Sequence, residues 1–169
     1  RMKEIIYTSN TGSTAEYAQL LGKELNLPVH SLQQAKNKVP AGSEIIYLGW
    51  IMAGGIKGYK EAAKLYKVRA VCGVGMGQTG TQLKEVRDKN AIPQRIPLFT
   101  LQGNFDVKKL HGVYRFMMNV MVKTAGKGLA NKTDRTPEED DMLDMMVNGG
   151  KRVSLQNLNT VTEWYKSVY

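Results

Sequence analysis

The stretch that most limits what this chain can become is KEIIYTSNTGST, residues 3–14. Residues 3–8 have the β-branched and aromatic content of a strand, whereas 15–25 carry apolar residues at helical spacing: Ala15, Ala18, Leu21 and Leu25. The six residues between them, Ser9, Asn10, Thr11, Gly12, Ser13 and Thr14, therefore sit where a strand feeds the N-terminus of a helix. Backbone N–H groups without intrahelical partners point outward there, and the helix dipole favours negative charge. Four of the six residues are hydroxylic, and Gly12 lets the chain approach a ligand closely. With no Lys or Arg in the loop, a phosphate bound here would be held by neutral donors. The Gly-Lys-Ser/Thr ending of a P-loop is missing, as is G-x-G-x-x-G. A plain N-cap cluster would use the same residue types.

The pattern repeats along the chain. Apolar, β-rich runs fall at 5–8, 29–32, 44–50, 69–76 and 96–101, with helix-like segments at 15–25, 59–66, 81–89 and 155–165. Alternation of this kind predicts a parallel sheet built from right-handed βαβ units. The polar segment 33–43 has room for one helical turn. Length predicts a single domain over 1–169, with a long insertion, about 103–150, before the last helix. Glu4 lies at the wrong end of the first strand to serve the acidic pair of a response-regulator receiver.

Two further loops follow strand ends. Trp50, Ile51, Met52, Ala53, Gly54 and Gly55 succeed the third strand, and Gly75, Met76, Gly77 and Gln78 the fourth. An indole face beside glycine-rich backbone suits a planar aromatic ligand. Ser9, Thr11, Gly12 and Thr14 match the phosphate loop of the flavodoxin family, and the chain resembles that family throughout in element order. The resemblance implies an α/β, three-layer, doubly wound sheet of five parallel strands in the order 2-1-3-4-5. It implies FMN, with residues 9–14 on the phosphate and the loops at 50–55 and 75–78 around the ring. It also makes Trp50 the stacking residue and the Gly54-Gly55 peptide a redox-sensitive switch. The second aromatic ring usual in the 75–78 loop is missing, and Tyr59 or Phe105 is available to replace it. Gln102, Gly103 and Asp106 resemble the Gln-Gly-x-x-Asp segment of related oxidoreductases. The implied activity is electron transfer by an FMN-dependent oxidoreductase, with a flavin-free interaction module on the same fold as the rival from another class.

The insertion carries a second resemblance. His111, Arg115, Asn119 and Lys123 recur every four residues within the otherwise apolar run 110–125. On a helix they form one narrow polar stripe, suited either to packing on the sheet or to an anionic membrane surface. Tyr114, Arg115, Phe116 and Met117 partly resemble a run in the flavodoxin-like, menaquinone-dependent protoporphyrinogen oxidases, which implies a quinone-coupled alternative. Thr136, Pro137 and the acids 138–141 read as a helix start, ended by Asn148 and Gly149.

The net charge of +9 suits either a solvated surface or an acidic partner: an anionic membrane surface, an acidic redox protein or a nucleic acid. The last is the weakest, because no nucleic-acid motif accompanies the charge. Cys72, the single cysteine, excludes an internal disulfide and lies in a strand-like run. No secretory leader or membrane span is legible, so the expected location is cytoplasmic, with the inner membrane face as a peripheral site. Neither His30 nor His111 has metal-ligand spacing.

Overall fold

Each of those apolar runs becomes a strand because its side chains find cover on both faces. A computed structural model describes residues 1–106 and 112–169, with Lys3 and 113–121 described by backbone alone. The strands are β1 (Met2–Thr8), β2 (Val29–Ser31), β3 (Glu44–Met52), β4 (Gly55–Ile56), β5 (Lys67–Gly75) and β6 (Leu98–Gln102). The helices are α1 (Ser13–Leu25), α2 (Leu32–Lys38), α3 (Tyr59–Leu65), α4 (Leu83–Asn90), α5 (Gly112–Asn131), α6 (Pro137–Asn148) and α7 (Asn159–Val168), the last preceded by a 3-10 turn, Leu155–Leu158. The sheet order is β2-β1-β3-β5-β6, all parallel, and β4 pairs only with the end of β3 as an antiparallel hairpin. This is the flavodoxin-like three-layer α/β fold, and the two-residue β4 alone stands outside the five-strand order.

Alternation along the strands sorts the core into two layers. Ile6, Ile45, Tyr47 and Val71 meet α2, α3 and α4 through Ala35, Ala62 and Val86. Their sequence neighbours Ile5, Ile46, Leu48 and Cys72 meet α1 and α7 through Tyr17, Leu21 and Val161. A third, smaller cluster of Met52, Phe105 and Met145, with Trp50, Met76 and Val122 against it, joins the insertion to the carboxyl end of the sheet.

Local signals set several boundaries. Segment 33–43 holds more than one turn: Ser31 and Gln34 cap α2 reciprocally, and the helix runs for seven residues. Thr136 and Glu139 form the same capping box at α6, with Pro137 at its first position and Gly149 at its end. The polar stripe of the insertion falls partly outside the described residues: His111 does, as do the side chains of Tyr114, Arg115, Phe116, Met117 and Asn119. Lys123 is exposed on α5. Among the described residues, no helix is long and apolar enough to cross a membrane.

Candidate functional site

In a parallel sheet the strand ends converge where neighbouring crossovers leave in opposite directions, and here that point lies between β1 and β3. A cavity of about 250 Å³ opens there. Its floor is the β1–α1 loop. Gly12 is the N-cap of α1 at φ 110, a left-handed conformation that a side chain would strain, and it contributes no cap of its own. The first N–H groups of α1 are thus left without a side-chain acceptor from the cap residue. Ser9 Oγ and Asn10 Nδ2 are buried without a hydrogen-bond partner. Buried polar groups cost free energy unless partnered, so these two atoms together with the uncapped helix end describe a seat for an anion.

The hydroxyls of Ser13 and Thr14 are inside, at 8% and 1% exposure. Ser13 Oγ accepts the N–H of Asn104 at 3.0 Å, which stitches the loop after β6 to the start of α1. Gly103 makes that approach feasible, since an added Cβ would come within 3.0 Å of Val74 Cγ1 and 3.1 Å of Ser13 Cβ. Behind the loop, the Tyr17 hydroxyl donates to the Gln102 carbonyl at 2.5 Å. Burial pushes the Tyr17 pKa up, against an opposing pull from its bond with Asn157, so it stays a protonated donor.

Trp50, Ile51, Ala53 and Gly54 form a second wall. Ala53 (φ 50) and Gly54 (φ 82) are the central residues of the tight turn joining β3 to β4, both left-handed as a hairpin of this hand requires. Asn90, at the end of α4 and 6% exposed, holds that turn from behind. Its Nδ2 donates to the Gly54 carbonyl (2.9 Å) and the Val86 carbonyl (2.8 Å), while its Oδ1 accepts the Ile56 N–H (2.8 Å). The Gly54-Gly55 peptide is therefore tethered through its oxygen. Nearby, the Tyr47 hydroxyl donates to the Lys57 carbonyl at 2.5 Å and is shared with Thr8 Oγ1 at 2.7 Å, fixing the chain beyond the hairpin.

Gly75, Met76 and Gly77 supply a third wall. The Gly75 carbonyl accepts the Gly103 N–H at 2.8 Å, and the Met76 carbonyl accepts Gln102 Nε2 at 2.8 Å. The same Gln102 amide donates to Asp141 Oδ2 at 2.6 Å, and Arg152 holds Asp141 Oδ1 at 3.2 Å, so α6 is pinned to the sheet. Phe105 and Gly150 pair as an isolated antiparallel bridge beside it. Thus anchored, the insertion contributes Ala125, Met142 and Met146 to the cavity, next to Phe105.

Of the sixteen residues expected on FMN from the sequence, twelve line this cavity: Ser9, Asn10, Thr11, Ser13, Thr14, Trp50, Ile51, Ala53, Gly54, Gly75, Met76 and Gly77, joined by Gly103 and Asp106 of the Gln-Gly-x-x-Asp segment. Gly12 lines an adjoining hollow with Thr11, Ser13 and Glu16. Met52 and Gly55 face a hollow on the other side of the turn, and Gln78 directs its carbonyl to Thr81 Oγ1 at 2.6 Å. Of the two rings offered for the missing aromatic, Phe105 lines the cavity, whereas Tyr59 is buried in the α3 layer against Tyr47. Sequence reading missed Gln82, Asn104, Met142 and Met146 as lining. The methionines are four apart on one helix, but nothing local tells which way that helix packs.

The lining has one end rich in donors and an apolar remainder, and among the described residues its single charged member is Asp106. No protein-family model, curated protein or solved structure matches the chain.

Proposed function

We propose that this chain is a flavodoxin-like FMN-binding protein that works as an electron-transfer oxidoreductase. The observation that carries the reading is the meeting, in one cavity, of an uncapped helix N-terminus with the orphaned Ser9 Oγ and Asn10 Nδ2 beside an indole and thioether wall. One end fits a phosphate and the rest fits a planar heteroaromatic ring. Thr11, Ser13 and Thr14 with the amides of the α1 start would bind the phosphate, Trp50 and Phe105 would pack on the ring, and the backbone at 53–54 and 75–77 would meet its edges. Bound FMN supplies the redox chemistry, and the protein supplies orientation, electrostatics and access.

Asn90 and the hairpin fix the edge groups, while Met76, Met142 and Met146 exclude water and lower the local dielectric, which strengthens every polar contact inside. Among the described residues no Lys or Arg lines the cavity, and affinity there would come from hydrogen-bond donors held in place rather than from a counter-charge. The test is a visible spectrum of purified protein before and after FMN is added. A perturbed flavin band saturating at one equivalent is expected. Colourless protein that leaves the band of free FMN unchanged would favour the flavin-free interaction module.

One observation favours a second reading, a quinone-coupled oxidase of the protoporphyrinogen type. Part of the cavity wall, Ala125, Met142 and Met146, comes from the insertion and gives an apolar surface that a hydrophobic co-substrate would also suit. Turnover of protoporphyrinogen with a menaquinone analogue by the FMN-loaded protein would favour it over a simple carrier. A cytoplasmic setting belongs to either proposal, as does peripheral contact of 110–125 with an anionic membrane through the exposed Lys123.

A further inference from the structure

The positive charge of the chain is unevenly distributed. Residues 57–95 hold nine Lys and Arg against three Asp and Glu, +6 of the total +9, whereas 103–150 hold seven of each and are neutral. The first segment folds as α3, β5, α4 and the loop into β6. Its cations line two hollows that share Lys60 and Asn90. Lys57, Lys60 and Lys89 surround the smaller, of about 390 Å³. Lys60, Lys64, Lys67, Arg69 and Arg95 border the larger, of about 930 Å³.

Few carboxylates answer these charges. Arg69 pairs with Glu44 at 2.7 Å, Glu61 is taken by Lys36 at 2.5 Å, and Asp88 by Lys84 at 2.8 Å. Lys60, Lys64, Lys67, Lys89 and Arg95 have no ion-pair partner among the described residues. Unanswered like charges repel one another, and an opposing negative surface relieves that repulsion.

The face also reaches the cavity wall. Lys57 Nζ stands 5.7 Å from the Trp50 ring centroid, and the Lys89 stem lies against Gly54, where an added Cβ would meet its Cγ at 3.4 Å. The rings set among the lysines, Tyr59 and Tyr66, are only 5% and 6% exposed. Trp164, at the same groove, packs edge-on against Tyr165 and Tyr169, while Tyr169, 45% exposed, stacks on Tyr165 with centroids 5.0 Å apart. The lysines of α3 are therefore not interleaved with open rings of the kind that single-stranded nucleic acids use.

We infer that the α3–α4 face docks an acidic protein, with carboxylates opposite Lys60, Lys64, Lys67 and Lys89, and so brings that partner beside the Trp50 and Gly54 wall. The inference deepens the FMN reading by naming the partner's chemistry and the face it uses, and it rests on that reading for its purpose. The contact itself is measurable without flavin.

The experiment titrates the isotopically labelled full chain with an acidic plant-type ferredoxin as probe, following backbone amide shifts. It is run at ionic strengths of about 0.01 M and about 0.15 M, where the screening length falls from roughly 30 Å to roughly 8 Å. Shifts should cluster in 57–67 and 83–95, and affinity should drop about tenfold or more at the higher salt. The triple variant Lys60→Gln, Lys64→Gln, Lys67→Gln should bind about fivefold more weakly. A control, Lys23→Gln, Lys123→Gln, Lys127→Gln, removes the same charge elsewhere and should change binding less than about twofold. All six lysines are exposed, so both variants should fold.

Equal weakening in the two triples, shifts centred on α5, or no binding at low salt would each overturn the inference. Tighter binding of a single-stranded oligonucleotide through the same face would overturn it in favour of nucleic acid. FMN titration of the same samples keeps the two proposals apart, because a failed cofactor leaves the amide-shift map intact.

Discussion

At the scale of single residues, the β1–α1 loop offers a ligand only uncharged atoms. Thr11 and Thr14 occupy the cradle beside the orphaned Ser9 Oγ and Asn10 Nδ2, and Thr14 is 1% exposed. Replacing both with Val keeps the shape and removes two hydroxyls. FMN affinity measured by flavin fluorescence should fall by about 1–3 kcal/mol for each buried phosphate oxygen left without a donor. Unchanged affinity would put the anchor elsewhere. Cys72 gives a separate residue-scale expectation. It is fully buried under α1 and α7, and burial pushes its thiol from 9.0 up to about 12. Tyr17, Tyr47, Tyr59 and Tyr66 are likewise raised above 10.0 by burial. All five are neutral acids whose protons the unfolded chain releases first, so above pH about 9 the unfolded state holds fewer protons and stability falls with rising pH. The urea midpoint should be lower at pH 10.5 than at pH 8, and Cys72 should resist thiol reagents at pH 8 until the protein is unfolded. A flat urea profile across that window would contradict these burial effects.

At the scale of elements, the β3–β4 hairpin depends on a helix distant in sequence. Asn90 satisfies Gly54 O, Ile56 N and Val86 O at once. Asn90→Ala leaves the first two buried groups without that partner and should cost about 2–4 kcal/mol in urea denaturation. It should also broaden the amide resonances of Ala53 and Gly54; sharp, unshifted resonances there would mean the turn stands by itself. This tether also explains what was legible in the sequence. The segments 9–14, 50–55 and 75–78 stood out because a strand end, a glycine-rich stretch and a helix start are local signals, and the parallel order followed from their alternation. Yet residues 50–52 belong to β3, Gly55 to β4 and Gly75 to β5, so the loop expected at 50–55 is only the two-residue turn 53–54. The short β4 was missed because its two residues exist only as a consequence of the turn before them. The Gly54-Gly55 peptide looked free for the same reason, since Asn90 lies more than thirty residues away. Phe105 could not be chosen over Tyr59, nor Met142 and Met146 foreseen, because only the Gln102, Asp141 and Arg152 bonds decide how the insertion lies. The capping signal was read at α6, whereas the capping box of Ser31 and Gln34 went unread and the polar content of 33–43 disguised a full seven-residue helix.

At the scale of the whole molecule, charge and cavity are separate designs. Among the described residues the site is lined by neutral donors and apolar groups apart from Asp106, while +6 of the net +9 lies outside it on the α3–α4 side. A positive field favours added negative charge at a distance that salt then screens. With FMN bound, the midpoint potential of the second electron should become more negative as ionic strength rises, and a potential indifferent to salt would show that the surface charge does not reach the site. The phosphate seat should behave in the opposite way, since short hydrogen bonds to uncharged donors inside a protein are screened little. The most direct measurement compares FMN with riboflavin, which has the same ring and no phosphate, binding to the purified chain at low and moderate salt. The account predicts that FMN binds at least about a hundredfold more tightly, the equivalent of two or three charge-assisted bonds, with little change in that ratio as salt is added. Equal affinity for the two, or an FMN preference that vanishes with salt, would contradict it.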